Sequence, residues 1–204
     1  MWRTLCRCGV LGLVGVCLPA KAGAQAGGWG ITADVSLSRF WGASRGASTA
    51  DGGPARPYRP TGFGIRLDRR LGARVRAGIG LQYAGAGLGI EGSDLTVIGK
   101  GAFDWVEIAP ELAIQVARLG ANSVRAVGGP VVDLWMPRDD TRRTRLGGRL
   151  GLELDVPFGR RVSGVARLTG ALTPSIFDED EILIGYERRA MTRAAVGVGL
   201  RVRL

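Results

Sequence analysis

The sequence contains no histidine. That single absence removes Ser-His-Asp triads, Cys-His pairs and His-ligated metal centres together. Lysine is nearly missing as well: only Lys21 and Lys100 occur, so the basic charge is almost entirely arginine. Cysteine is confined to Cys6, Cys8 and Cys17. No stretch reaches the roughly 18 consecutive apolar residues of a membrane-spanning helix. The 34 glycines follow no Gly-X-Y period, which excludes collagen, and a hydrophobic content of 46% excludes a disordered chain. At 204 residues the chain has room for one domain, or at most two.

The first segment reads as an export signal. Met1 to Arg7 carries Arg3 and Arg7, Cys8 to Leu18 is an apolar run, and Ala22-Gly23-Ala24 matches a small-x-small cleavage site. Residues 1–24 are therefore expected to be a cleaved signal peptide, with Ala26 as the other candidate end. All three cysteines go with it, so the mature chain has no disulfide. Val16, before Cys17, is not the small residue that a lipoprotein signal needs. Removing Arg3, Arg7 and Lys21 lowers the net charge of +10 by three. A basic exported protein does not ordinarily meet nucleic acid. Its charge suits internal ion pairs and anionic lipid headgroups.

Beyond the leader the dominant period is two. Trp29, Ile31, Ala33, Val35 and Leu37 alternate with Gly30, Thr32, Asp34, Ser36 and Ser38. The same alternation runs through Phe63–Leu67, Val75–Tyr83, Val106–Val116, Val124–Leu134, Leu150–Val156, Val162–Leu172 and Val196–Leu204. About eight strands of roughly ten residues result, a length that crosses a bilayer at a tilt. The expected connections alternate too. Asp68–Ala73, Leu119–Ser123 and Pro157–Arg161 are short and contain glycine, while 42–60, 84–95, 136–147 and 173–190 are long. Short turns at one end and long loops at the other imply an even number of antiparallel strands with both termini at the short-turn end. Pro110 and Pro130 fall inside expected strands, equidistant from the turn near Gly120, and are expected to face one another across a hairpin.

Alternation alone does not say which face is inside. Three features favour an apolar outside. The apolar face is almost uninterrupted from strand to strand. The polar face mixes signs, and its expected lumen ion-pair network comprises Arg66, Arg74, Arg76, Glu107, Glu111, Arg125, Arg149, Glu153, Asp155, Arg167 and Arg201. Asp68, Asp133 and Arg203 share that face. Aromatics near strand ends are expected to form membrane-interface girdles: Trp29, Trp41, Phe63, Tyr83, Trp105, Trp135 and Phe158, with Tyr58 and Phe103 beside them.

On this pattern, residues 27–204 resemble a small bacterial outer-membrane β-barrel of the eight-stranded OmpA/OmpX type, or the broader outer membrane protein β-barrel domain families. The resemblance implies an all-β fold, an eight-stranded antiparallel up-and-down transmembrane barrel in the bacterial outer membrane. It also implies two partners, outer-membrane lipid and the barrel assembly machinery. The final strand, Gly197 to Leu204, resembles the signal read by that machinery through Gly199, Val202 and Leu204, with Leu204 standing where the family favours an aromatic.

Motifs for chemistry are few. Gly87-Leu88-Gly89-Ile90-Glu91-Gly92 matches G-x-G-x-x-G, but no helix is expected to follow it, so a loop is the better reading. Asp178 to Glu181 is an acidic cluster without the spacing of a calcium loop. Glu107 with Glu111, or Glu153 with Asp155, has the spacing of an acid/base pair, yet abundant arginine favours structural ion pairs. No cofactor and no catalysis are expected. The leading expectation is a structural or surface-interaction barrel with a closed lumen and four surface loops, because eight strands enclose a space that side chains fill. The alternatives are a narrow channel or small-ligand barrel, made roomier by lumen glycines (Gly64, Gly78, Gly80, Gly151, Gly197, Gly199), and a soluble periplasmic lipid-binding barrel with its apolar face inside.

Overall fold

The computed structural model describes residues 28–46, 55–91, 96–137, 142–177 and 186–204. The expected signal peptide and the acidic cluster at 178–181 lie outside them. Eight strands follow in order: β1 (Trp29–Gly46), β2 (Ala55–Arg70), β3 (Val75–Glu91), β4 (Thr96–Leu119), β5 (Asn122–Pro137), β6 (Arg143–Pro157), β7 (Val162–Thr173) and β8 (Tyr186–Arg203). Each pairs antiparallel with its neighbour in sequence, and β8 pairs with β1 to close the barrel. Closure leaves no free sheet edge, which is what a strand structure needs in hydrocarbon.

The apolar face is outside. Val35, Phe63, Ile65, Leu81, Leu112, Leu150, Leu168 and Val198 are all exposed, whereas Arg66, Arg76, Glu107, Glu111, Glu153 and Asp155 are buried within. This inversion rules out the soluble lipid-binding arrangement, which needs apolar residues inside. Pro110 and Pro130 also point outward. The β4–β5 ladder runs from Ile108↔Val132 to Leu112↔Gly128 without pairs between, and that register sets the two prolines opposite one another. Neither has an N–H, so the interruption leaves no unsatisfied proline donor on the apolar outer face.

The strands are longer than the alternation implies, from 12 residues in β7 to 24 in β4. The expected loop at 84–95 is corrected: β3 continues to Glu91, so Gly87 to Glu91 is strand. The expected loops at 42–60, 136–147 and 173–190 are shortened at their flanks in the same way. The reason is that backbone pairing continues beyond the apolar band of the outer face, where no apolar alternation is needed to sustain it. At the other end the turns are tight. Leu71 and Gly72 donate backbone N–H groups to the Val75 carbonyl at 3.0 and 3.3 Å. Gly120 takes a positive φ of 64° between β4 and β5. The barrel therefore has a turn end, carrying the two β1 and β8 termini, and a loop end.

Candidate functional site

The lumen is the chemical centre of the molecule, and it is layered. Period two places every second residue of each strand inside, and a barrel of this size brings all eight strands within reach of one another. In the middle layer Glu111 lies among three guanidiniums: Arg149 at 2.6 Å, Arg167 at 2.8 Å and Arg66 at 3.3 Å. Glu153 accepts from Arg167 at 2.6 Å and Arg66 at 3.0 Å, and Asp34 accepts from Arg66 at 3.0 Å. Above them Glu107 receives Arg149 at 2.5 Å and also Arg193. Nearer the turn end, Asp155 receives Arg76 at 3.2 Å and Arg125 at 3.1 Å, with Arg201 at 3.5 Å and Arg203 at 3.9 Å. Asp68 pairs with Arg201.

At the loop end the lumen turns apolar. Phe40, Phe103, Trp105, Trp135, Ile176 and Met191 form one buried cluster. Trp105 and Trp135 stack with centroids 5.7 Å apart, and Phe40 meets both edge-on. Arg193 joins the two regions: it pairs with Glu107 and lies 4.4 Å from the Trp105 ring centroid. Trp105 donates its indole N–H to Asp133 at 3.0 Å.

The segment after β7 folds over this cluster. Ile176 is fully buried. Its carbonyl accepts from Arg143 at 3.0 Å and Arg145 at 3.3 Å. Ser175 donates its hydroxyl to the Ala43 carbonyl at 2.7 Å. A register shift between Trp41 and Ala43, with φ near +85° at Gly42 and Ala43, accompanies the inward turn of Ala43.

Ten of the eleven residues assigned to the lumen network meet there. The exception is Arg74, which sits exposed in the β2–β3 turn. It has Arg76's parity, but the chain has left the strand by then. Trp105 and Trp135 also require correction. Both are 0% exposed and face the lumen, not the membrane interface, and Phe103 does the same. Trp105 shares parity with Glu107, and Trp135 with Asp133, so the alternation rule overrides the position near a strand end. Trp29, Trp41, Phe63, Tyr83 and Phe158 are exposed on the outside. Trp29 lies under Arg69, Trp41 under Arg39, and Tyr83 donates its hydroxyl to Asp104 at 2.8 Å.

At the assembly-signal positions, Gly199 faces inward against β1, where a Cβ would meet the Ala33 carbonyl and Asp34. Val202 and Leu204 are exposed. Arg193, Asp34, Phe40 and Met191 complete the lumen without standing out in the sequence. The parity of Arg201 and Gly197 on β8 is the signal that places Arg193 inside.

The lumen glycines do not open a path. A Cβ at Gly64 would lie 2.6 Å from Asp34, and at Gly78 2.7 Å from the Leu67 carbonyl. At Gly151 it would meet the Leu168 carbonyl. Gly64, Gly80 and Gly197 border a central cavity, and its volume is only about 40 Å³. Among the described residues no group of three or more His, Cys, Asp or Glu is arranged to hold a metal ion.

No protein-family model matches the sequence. No curated protein matches it either. Solved structures match its fold. Neisserial surface protein A (NspA) superposes with a TM-score of 0.58 at 9% identity, over 86% of this chain and 97% of that one. The outer membrane protein AlkL gives 0.55 at 13% identity, over 92% and 95%. The outer membrane protein OprG from Pseudomonas aeruginosa gives 0.53 at 11% identity, over 88% and 96%. The chain thus has the fold of the small eight-stranded outer-membrane barrels.

Proposed function

We propose that this protein is an outer-membrane barrel with a closed lumen and a structural or surface-interaction role, its loop end outside the cell and its turn end in the periplasm. One observation carries this reading: the ion pairs and the aromatic cluster fill the lumen in succession, leaving a central cavity of only about 40 Å³. Water molecules fit such a space; a permeating solute does not. The outward Trp29 and Phe158 at the turn end, and Trp41 and Tyr83 on the loop side, suit the two membrane interfaces. Trp29 and Trp41 lie twelve residues apart on β1, close to the span of a tilted membrane strand. Lipid is then the obligatory partner, and β8 with Gly199, Val202 and Leu204 is the segment offered to the assembly machinery. Contacts at the cell surface fall to the loops, and no catalysis is assigned.

Planar-bilayer recording of the purified barrel tests the closed lumen. The expected record has no stable channels. Large, long-lived conductance would overturn the reading.

A further inference from the structure

The turn end differs from the rest of the lumen in charge and in space. In the ion-paired layers below the aromatic cluster, Arg66, Arg149, Arg167 and Arg193 face Asp34, Glu107, Glu111, Glu153 and Asp133, so carboxylates are in slight excess there. At the turn end the balance reverses. Arg76, Arg125, Arg201 and Arg203 share Asp155 and Asp68, with Glu153 of the layer above 3.8 Å from Arg125. Asp155 alone is approached by all four guanidiniums, and Arg203 keeps its Nε enclosed with no hydrogen-bond partner.

Just outside this underneutralised layer the barrel opens into a vestibule of about 300 Å³. Its floor is Arg76 and Arg125, and its walls carry Arg70 from the end of β2, Arg74 from the turn after it, Arg118 from the end of β4 and Arg203 from the end of β8. Among the described residues, Arg70, Arg74 and Arg118 meet no carboxylate. Asp155 is the one acidic side chain lining the space. Gathering like charges in one concavity is unfavourable unless a counter-charge enters.

We propose that this vestibule is a binding site for a multiply charged oxyanion of the phosphate class. Guanidinium forks match phosphate oxygens two at a time, and six converging on one concavity suit a ligand with several such oxygens. Ser123 and Gln115 add neutral polar groups to the wall. No aromatic side chain lines the space to stack on a base or a sugar, so recognition is of the oxyanion itself. The site faces the side opposite the loops and is independent of any surface contact they make.

The test uses the whole folded barrel in zwitterionic detergent, titrated with inorganic pyrophosphate by calorimetry. Saturable binding that weakens with added salt is expected. Arg74→Gln combined with Arg118→Gln should weaken it by about tenfold or more, since each change removes a charge-assisted contact. Arg160→Gln combined with Arg161→Gln removes equal charge from the third turn, outside the vestibule, and should leave affinity within about twofold. Retained heat-modifiable mobility in SDS confirms that each variant is folded. No saturable binding, or equal losses in the two double variants, would overturn the site. Repeating the titration in phosphatidylcholine nanodiscs, with and without phosphatidylglycerol, identifies the source. A weakened pyrophosphate signal with phosphatidylglycerol assigns the site to a lipid headgroup phosphate. An unchanged signal assigns it to a soluble one.

Discussion

Glu111 shows what a single side chain does in this lumen. Its carboxylate lies within 3.3 Å of three guanidiniums from three other strands. Removing its charge leaves those guanidiniums buried and undercompensated, which costs more than the pair contributed over an apolar equivalent. Glu111→Gln is expected to lower unfolding stability by about 3–5 kcal/mol in urea titrations of the barrel in lipid. The tryptophans separate by face at the same scale. Trp29 and Trp41 are exposed outside, and Trp105 and Trp135 are enclosed. Single-tryptophan variants in bilayers with brominated acyl chains should show quenching for Trp29 and Trp41 and almost none for Trp105 and Trp135. Equal quenching of all four would return the inner pair to the membrane face.

At the scale of elements, the β4–β5 seam is the irregular part of the wall. Pro110 and Pro130 interrupt the ladder, and Gly129 lets the Pro110 carbonyl approach β5. A Cβ at Gly129 would also lie 3.1 Å from the Glu111 Cα. Gly129→Ala should therefore push the strands apart beside the central ion pairs and cost about 1–3 kcal/mol. Gly148, paired with Pro130 on the other side, faces outward with nothing within 4 Å of a Cβ. Gly148→Ala should be neutral, or slightly stabilising because it narrows the unfolded ensemble. The contrast between the two variants, read in the same unfolding assay, checks the register of the seam.

The whole molecule is a closed ladder with a salt-bridged interior and an apolar exterior. Denaturing detergent must break the ladder cooperatively, because there is no edge from which to peel it. Unheated protein should migrate differently from boiled protein in SDS gels, with the shift retained at high salt because the lumen pairs are shielded from mobile ions. Identical mobility, with recovery in a soluble extract, would contradict a membrane barrel. The asymmetry of charge along the axis also belongs to this scale: the middle is compensated, and the turn end carries the surplus that shapes its vestibule.

Strand count, inside-outside parity and the end of the barrel that carries the tight turns were legible in the sequence, whereas the extent of the expected loop at 84–95 was not. Each follows from the period of two and from the residues that interrupt it. Lumen membership for residues such as Arg66, Glu111, Glu153 and Arg167 was legible for the same reason, since parity is a local property. Parity also held the answer for Trp105 and Trp135, where proximity to a strand end pointed the other way. Pairing partners were not legible. Which arginine meets which carboxylate depends on the stagger between strands, so Arg66 reaches Glu153 across 87 positions of chain. Strand length was hidden as well, because pairing at the loop end rests on backbone hydrogen bonds that leave no apolar pattern. The sequence by itself determined the alternating wall and its two chemically distinct faces. The tertiary structure decided how the inner face is layered, because only barrel closure sets the levels at which residues from eight strands meet.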